Sequence, residues 1–145
     1  MKIPIIFVFE GWHASGMGED IKRFMLPLDP RGYDFHTMTF DCYEDTLKPF
    51  ILHFWTLISV RDKIAIFYRS WYSRTTMKHF RKTKSKESLG KCLEDINCFE
   101  RQLSDDRYLI LKFFPYISEK EQEDNFKEIK KKGISLILYE YEDEN

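Results

Sequence analysis

Apolar residues fall along this chain in two alternating patterns, short continuous runs and longer stretches with helical spacing. Ile3 to Phe9 is almost continuously apolar and β-branched or aromatic, the pattern of a strand buried on both faces in a parallel sheet. Glu10 to Gly18 contains three of the six glycines and predicts a tight loop, with a helix from about Glu19 to Leu26. Asp29-Pro30-Arg31-Gly32 is a turn, followed by a short strand over Tyr33 to Thr39. Pro49 suits the first turn of a helix that carries Phe50, Ile51, Phe54, Trp55 and Ile58 on one face.

After a polar break at Arg61-Asp62, Ile64 to Phe67 reads as a second buried strand and Trp71 as the approximate start of a helix. Leu93, Ile96, Phe99, Glu100 and Leu103 have helical spacing. Tyr108 to Ile117 reads as a third apolar strand with Pro115 near its end. Ser118 followed by Glu121 is the capping-box pattern of a helix that Gly133 ends, and Ile134 to Tyr141 reads as a last strand. Strands and helices alternate throughout, which predicts an α/β sandwich with a mostly parallel sheet.

Composition narrows this picture. The 145 residues suit a single domain, and 43% hydrophobic with 17% aromatic residues is enough for an aromatic-rich core. The net charge of −1 points to no partner, but its distribution is uneven. Between Arg69 and Lys91 the chain carries Arg69, Arg74, Lys78, Arg81, Lys82, Lys84, Lys86 and Lys91 against the single acid Glu87. Such a stretch attracts polyanions, and it also suits a solvated loop and helix face. Cys42, Cys92 and Cys98 form no C-x-x-C pair, and the four histidines lack metal-ligand spacing. No apolar run reaches a bilayer-spanning length, and the first residues lack a signal-peptide layout. The expectation is a cytoplasmic domain without nucleic-acid or membrane partners.

The chemistry concentrates in Gly11-Trp12-His13-Ala14-Ser15-Gly16-Met17-Gly18, directly after the first strand. Glycines at its first and sixth positions match the phosphate loop G-x-x-x-x-G-K-[ST], in which backbone N–H groups converge on phosphate at a helix N-terminus. The lysine position is Met17, and the hydroxyl position, which would serve Mg²⁺, is Gly18. The same spacing also fits a glycine-rich strand-to-helix turn with no ligand.

Glu10-Gly11-Trp12-x-Ala14-x-Gly16-x-Gly18 followed by Ile21-Lys22-Arg23 resembles the loop of the family-2 polyphosphate kinases, E-G-W-D-A-A-G-K-G and then I-K-R. Further blocks follow in the family's order. They are Leu28-Asp29-Pro30-Arg31-Gly32, Pro49-Phe50 with Phe54-Trp55, and Ile64-Ala65-Ile66-Phe67-Tyr68-Arg69-Ser70-Trp71-Tyr72. Ile96-Asn97-x-Phe99-Glu100-Arg101-Gln102-Leu103 comes next, and then Lys112-Phe113-Phe114-x-x-Ile117-Ser118 with Glu121-Gln122. The resemblance implies a three-layer P-loop NTPase-like (thymidylate-kinase-like) sandwich. It also implies Mg²⁺-dependent phosphoryl transfer between inorganic polyphosphate and AMP, ADP or GDP.

Measured against the resemblance, the charged groups of the transfer site are missing. The family's loop Asp is His13, its loop Lys is Met17, and the metal-binding Asp at the end of the second strand is Tyr68. The histidine before I-S is Tyr116, and the family's basic lid and C-terminal helical segment are missing or truncated after Lys130-Lys131-Lys132-Gly133. One subclass of the family fuses an active and a degenerate copy, and this chain resembles the degenerate one. The expectation is therefore an inactive domain, with no cofactor of its own, that pairs with an active copy, assembles with itself or holds polyphosphate. Gly11, Ala14, Ser15, Gly16, Gly18, Lys22 and Arg69 would contact phosphate, and Arg74, Lys78, Arg81, Lys82 and Lys84 the polyphosphate chain. For Trp71, Tyr72, Asn97 and Glu100 the favoured role is structural. The alternatives are a weak phosphotransferase in which Asp34, Asp41 or Glu44 replaces Tyr68, and a protein-interaction domain with no phosphate ligand.

Overall fold

The computed structural model describes residues 3–37, 49–80 and 86–131. Four parallel strands form its sheet in the order β2-β3-β1-β4: β1 (Ile5–Phe9), β2 (Tyr33–Thr37), β3 (Ile64–Tyr68) and β4 (Leu109–Phe113). Strand β1 is interior, with Ile5 beside Ile64 on one side and beside Leu109 on the other. Alternation along the strands sends Ile6, Val8, Ala65 and Phe67 to one face and Phe9 and Ile66 to the other.

The first face packs against α2 (Phe50–Leu57), α3 (Trp71–Phe80) and α4 (Lys86–Asp105) through Phe54, Trp71, Ile96, Phe99 and Leu103. Trp71 is fully buried and meets Phe54, Phe67 and Phe99 edge-on at ring separations of 5.4, 5.5 and 5.0 Å. These offset contacts suit the ring quadrupoles and make the aromatic core expected from composition. The second face packs against α1 (Met17–Met25) through Met17, Ile21 and Phe24. Helices therefore cover both faces, and α5 (Glu119–Lys131) follows β4.

Several boundaries differ from the sequence reading, each for a local reason. Strand β1 begins at Ile5, because Pro4 lacks an N–H for the ladder, and Ile3 is 65% exposed. Burial on the α1 side is also incomplete, with Ile5 and Phe7 half-buried. Helix α1 starts at Met17, two residues early, because Gly16 adopts φ 82° and turns the chain directly into the helix. Strand β4 spans only Leu109–Phe113. Its partner β1 ends opposite Phe113, and Glu10 N–H closes the ladder on the Phe113 carbonyl. The capping box forms as expected: the Ser118 hydroxyl accepts from Glu121 N–H, and the Glu121 carboxylate accepts from Ser118 N–H. The expected last strand over Ile134 to Tyr141 lies outside the described residues.

Candidate phosphate site

The sheet register brings the site together. Phe9 lies between Tyr68 and Phe113 at the C-terminal edge, so the segments leaving β1, β3 and β4 emerge side by side. This is the edge at which open parallel α/β sheets bind ligands. Glu10 ties two of those segments together. Its carboxylate accepts from Ser70 N–H at 2.8 Å and Ser70 hydroxyl at 2.6 Å, and from both Ser73 N–H and the Ser73 hydroxyl. A carboxylate at the start of α3 satisfies otherwise unpaired N–H groups and suits the positive helix end.

Between Glu10 and α1 the loop folds on itself. Ser15 N–H donates to the Trp12 carbonyl at 3.2 Å, and Glu19 and Asp20 N–H donate to the Gly16 carbonyl. Ala14 sits at φ 57° and Gly16 at φ 82°, both left-handed. Gly11 lies so close to Pro115 that a Cβ would come within 3.3 Å of the ring. On the far side Arg69, at φ 61°, donates its N–H to the Phe9 carbonyl at 2.9 Å. Three residues in or beside the loop thus hold left-handed backbone, two of them with a side chain. That costs about 1–3 kcal/mol each and persists where surrounding structure over-determines it.

The three positions that depart from the family pattern have all found other partners. An Arg69 guanidinium nitrogen lies 2.7 Å from His13 Nδ1 and 3.1 Å from Nε2. Both ring nitrogens lie close to the same guanidinium nitrogen, so imidazole and guanidinium are in direct contact. Met17 is 4% exposed and packs in the cluster of Phe9, Ile21 and Ile66. Tyr68 is half-buried against that same cluster. Imidazole, thioether and phenol are poor ligands for Mg²⁺, which takes carboxylate, phosphate and water oxygens.

Asp34 does not replace Tyr68. It pairs in register with Ala65 near the opposite end of β3, and Lys63 Nζ binds its carboxylate at 2.8 Å. The hydrogen bond from Lys63 holds that carboxyl below its ordinary range. Asp41 and Glu44 lie outside the described residues, and among the described residues no three His, Cys, Asp or Glu side chains cluster as metal ligands would.

The remaining sequence candidates divide. Gly11, Ala14, Ser15, Gly16 and Gly18 share the loop and the first turn of α1. Ser15 Oγ is buried and has no hydrogen-bond partner among the described residues, an orphaned donor that a phosphate oxygen would satisfy. Ser15 N–H, by contrast, is engaged by Trp12, which removes it from the run of backbone donors expected between Ala14 and Gly18. Lys22, on α1, has a mostly exposed side chain 3.8 Å from the Glu19 carboxylate. Arg74 is only 5% exposed, which corrects its place in a solvated basic stretch: a position on a helix is buried or exposed by what the fold packs against it, not by the charge of its sequence neighbours. Lys78 lies on α3, and Arg81, Lys82 and Lys84 fall outside the described residues.

Trp71 Nε1 and the Tyr72 hydroxyl both donate to Glu100 Oε1, at 3.1 and 2.6 Å. Lys112 Nζ reaches Glu100 Oε2 at 2.6 Å and the Tyr72 oxygen at 2.7 Å. These residues are packing and network groups, in keeping with the structural role read for Trp71, Tyr72 and Glu100. Asn97 points outward. The sequence reading missed the role of Glu10 and the approach of Asn125 to the loop. Periodicity carries no signal for either, because both act through the tertiary meeting of separate segments.

A parallel sheet carrying a glycine-rich loop between an interior strand and a helix defines a P-loop kinase-like α/β domain. The polyphosphate kinase 2 family model matches residues 1–136, and the chain belongs to that family. It is 32% identical over 123 residues to the polyphosphate:AMP phosphotransferase of Acinetobacter johnsonii, covering 85% of this chain and 26% of that protein. It is 33% identical over 127 residues to the protein of that name from Pseudomonas syringae pv. tomato, covering 88% of this chain and 26% of the relative. A Pseudomonas aeruginosa crystal structure assigned to polyphosphate kinase 2 superposes with a TM-score of 0.83 at 33% identity, over 88% of this chain and 28% of that one. Polyphosphate kinase 2 from Arthrobacter aurescens shares the fold, with a TM-score of 0.86 at 18% identity, over 90% of this chain and 46% of that one. The chain thus spans about a quarter of the length of the two phosphotransferases.

Proposed function

We propose that this chain is a polyphosphate-holding domain of its family that does not itself transfer a phosphoryl group, and that it serves an active copy of the domain. The observation that carries this reading is the fate of three positions around an otherwise folded loop. His13 contacts Arg69, Met17 is in the core and Tyr68 packs against it. Phosphoryl transfer relies almost entirely on positioning and on neutralising charge. Losing one such contact costs on the order of 10²–10³ in rate, and three losses at one centre leave nothing measurable. On this reading the domain needs no magnesium of its own, and the polyphosphate:nucleotide chemistry named for its relatives belongs to the partner copy.

Anion binding relies on different groups. Ser15 Oγ, the start of α1 and Arg69 stand at the same sheet edge. With no loop lysine and with Glu19 in the first turn of α1, the affinity is modest, about 10 μM to 1 mM. Titration of long-chain polyphosphate at low and high ionic strength tests this. Binding at low salt that weakens steeply with salt, and weakens further in Arg69→Ala, supports the reading. No binding at low salt, or binding indifferent to Arg69→Ala, contradicts it.

A further inference from the structure

Helix α5 buries no residue of its own, yet two of its side chains reach the loop. Gln122 Nε2 donates to the His13 carbonyl at 2.9 Å, and Asn125 Nδ2 donates to the Ala14 carbonyl at 2.8 Å. The two amides are three residues apart and so share one helix face. We propose that Gln122 and Asn125 are positioning residues that set two consecutive peptide planes of the loop, and so hold it in its anion-receiving shape. The affinity part of this inference rests on the function proposed above.

The geometry of the peptide unit carries the argument. A trans peptide is planar, so its N–H points opposite to its C=O. Fixing the His13 carbonyl toward α5 turns Ala14 N–H away from α5. Fixing the Ala14 carbonyl toward α5 turns Ser15 N–H the other way, where it meets the Trp12 carbonyl at 3.2 Å. Ala14 has φ 57°, a conformation that a residue with a Cβ keeps only when its neighbours impose it. Asn125 supplies one such constraint directly. The segment between β4 and α5 supplies others: Pro115 lies against Gly11, and the Phe114 ring meets the Trp12 ring edge-on at 6.4 Å. The loop is therefore braced along one flank by residues far along the chain, while Arg69 holds the other through His13.

The test uses Gln122→Met, Asn125→Leu and the double variant, which remove the donors without adding charge. Amide hydrogen exchange at Ser15, followed by NMR without any anion, reads the loop directly. The double variant should exchange about tenfold faster at Ser15, since its donor–acceptor geometry is no longer held. Val8 and Phe67 amides should be unchanged, which separates a local effect from general destabilisation. Tripolyphosphate affinity should fall about 3–10-fold per lost hydrogen bond. Unchanged Ser15 exchange in the double variant overturns the proposal. Faster exchange in a protein whose wild type binds no tripolyphosphate upholds the bracing and defeats the polyphosphate-holding function instead.

Discussion

The guanidinium of Arg69 lies 2.7 Å from Nδ1 of His13, so the loop side chain at this position touches the cation beside the loop. An imidazole brings no negative charge to that contact. Replacing His13 by Asp would change that. The new carboxylate would pair with Arg69 through a charge-assisted bond and neutralise it. In the absence of magnesium, His13→Asp should weaken tripolyphosphate binding about tenfold, read by calorimetric titration. Unchanged or tighter binding would show that Arg69 does not carry the anion affinity.

Glycine substitutions separate strain from space. A Cβ on either Gly16 or Gly18 would meet nothing within 4 Å, so sterics alone predict no difference between them. Gly16 has φ 82°, whereas Gly18 lies in the first turn of α1. Gly16→Ala should therefore destabilise by about 1–2 kcal/mol. Gly18→Ala should stabilise by up to about 1 kcal/mol through helix propensity. Urea denaturation of the two variants checks this, and equal effects would refute the loop geometry.

Glu10 is predicted to matter for stability more than its place before the loop suggests. Glu10→Ala leaves the N–H and hydroxyl of fully buried Ser70 without their acceptor. An unsatisfied buried donor costs about 1–3 kcal/mol, which for a domain of this size lowers the melting temperature by several degrees. Thermal unfolding followed by circular dichroism reads it, and an unchanged melting temperature would contradict the network.

Alkaline pH should dissolve the Glu100 network. Burial opposes the Lys112 charge, but hydrogen bonds to Glu100 and Tyr72 outweigh it and raise the Lys112 pKa above its ordinary value. Burial, then the hydrogen bond to Glu100, also pushes the Tyr72 phenol up. Both groups hold their protons more tightly when folded. The stability they contribute is complete below their unfolded values, about pH 10, and is lost as pH rises through the raised folded values. Wild type should be more stable than Glu100→Gln at pH 8, and the gap should narrow above about pH 10. A gap that stays constant or widens would refute the assignment.

The sheet and its helices were legible because their signals are local. The apolar run before Gly11 and the 64–67 block mark interior strands, and Ser118 with Glu121 marks the start of α5. The ends of β1 and β4 were less legible, because each is set by where a partner strand stops. The loop was legible from two glycines and its family resemblance. Arg74 was misread because charge runs along the sequence say nothing about which side chain a helix turns inward. The amides of Gln122 and Asn125 reach carbonyls more than a hundred residues away, a relation that no spacing encodes.

Restoring charge tests whether the lost groups alone account for the proposed inactivity. His13→Asp, Met17→Lys and Tyr68→Asp made together should raise tripolyphosphate affinity in magnesium over that of wild type, because the lysine and metal-binding carboxylates return. The same variant should lose stability, since Lys and Asp replace side chains that are packed in or against the core. Affinity unchanged in magnesium, in a variant that still folds, would mean that the loop backbone no longer holds phosphate productively.

Phosphorus NMR of the purified chain with long-chain polyphosphate, magnesium and either AMP or ADP tests the central claim most directly. The account predicts that no ADP or ATP resonance grows beyond the level seen without the protein, even though the same preparation binds polyphosphate by titration. Nucleotide signals that grow in proportion to this chain and survive purification controls would contradict it, and would make His13, Met17 and Tyr68 compatible with phosphoryl transfer after all.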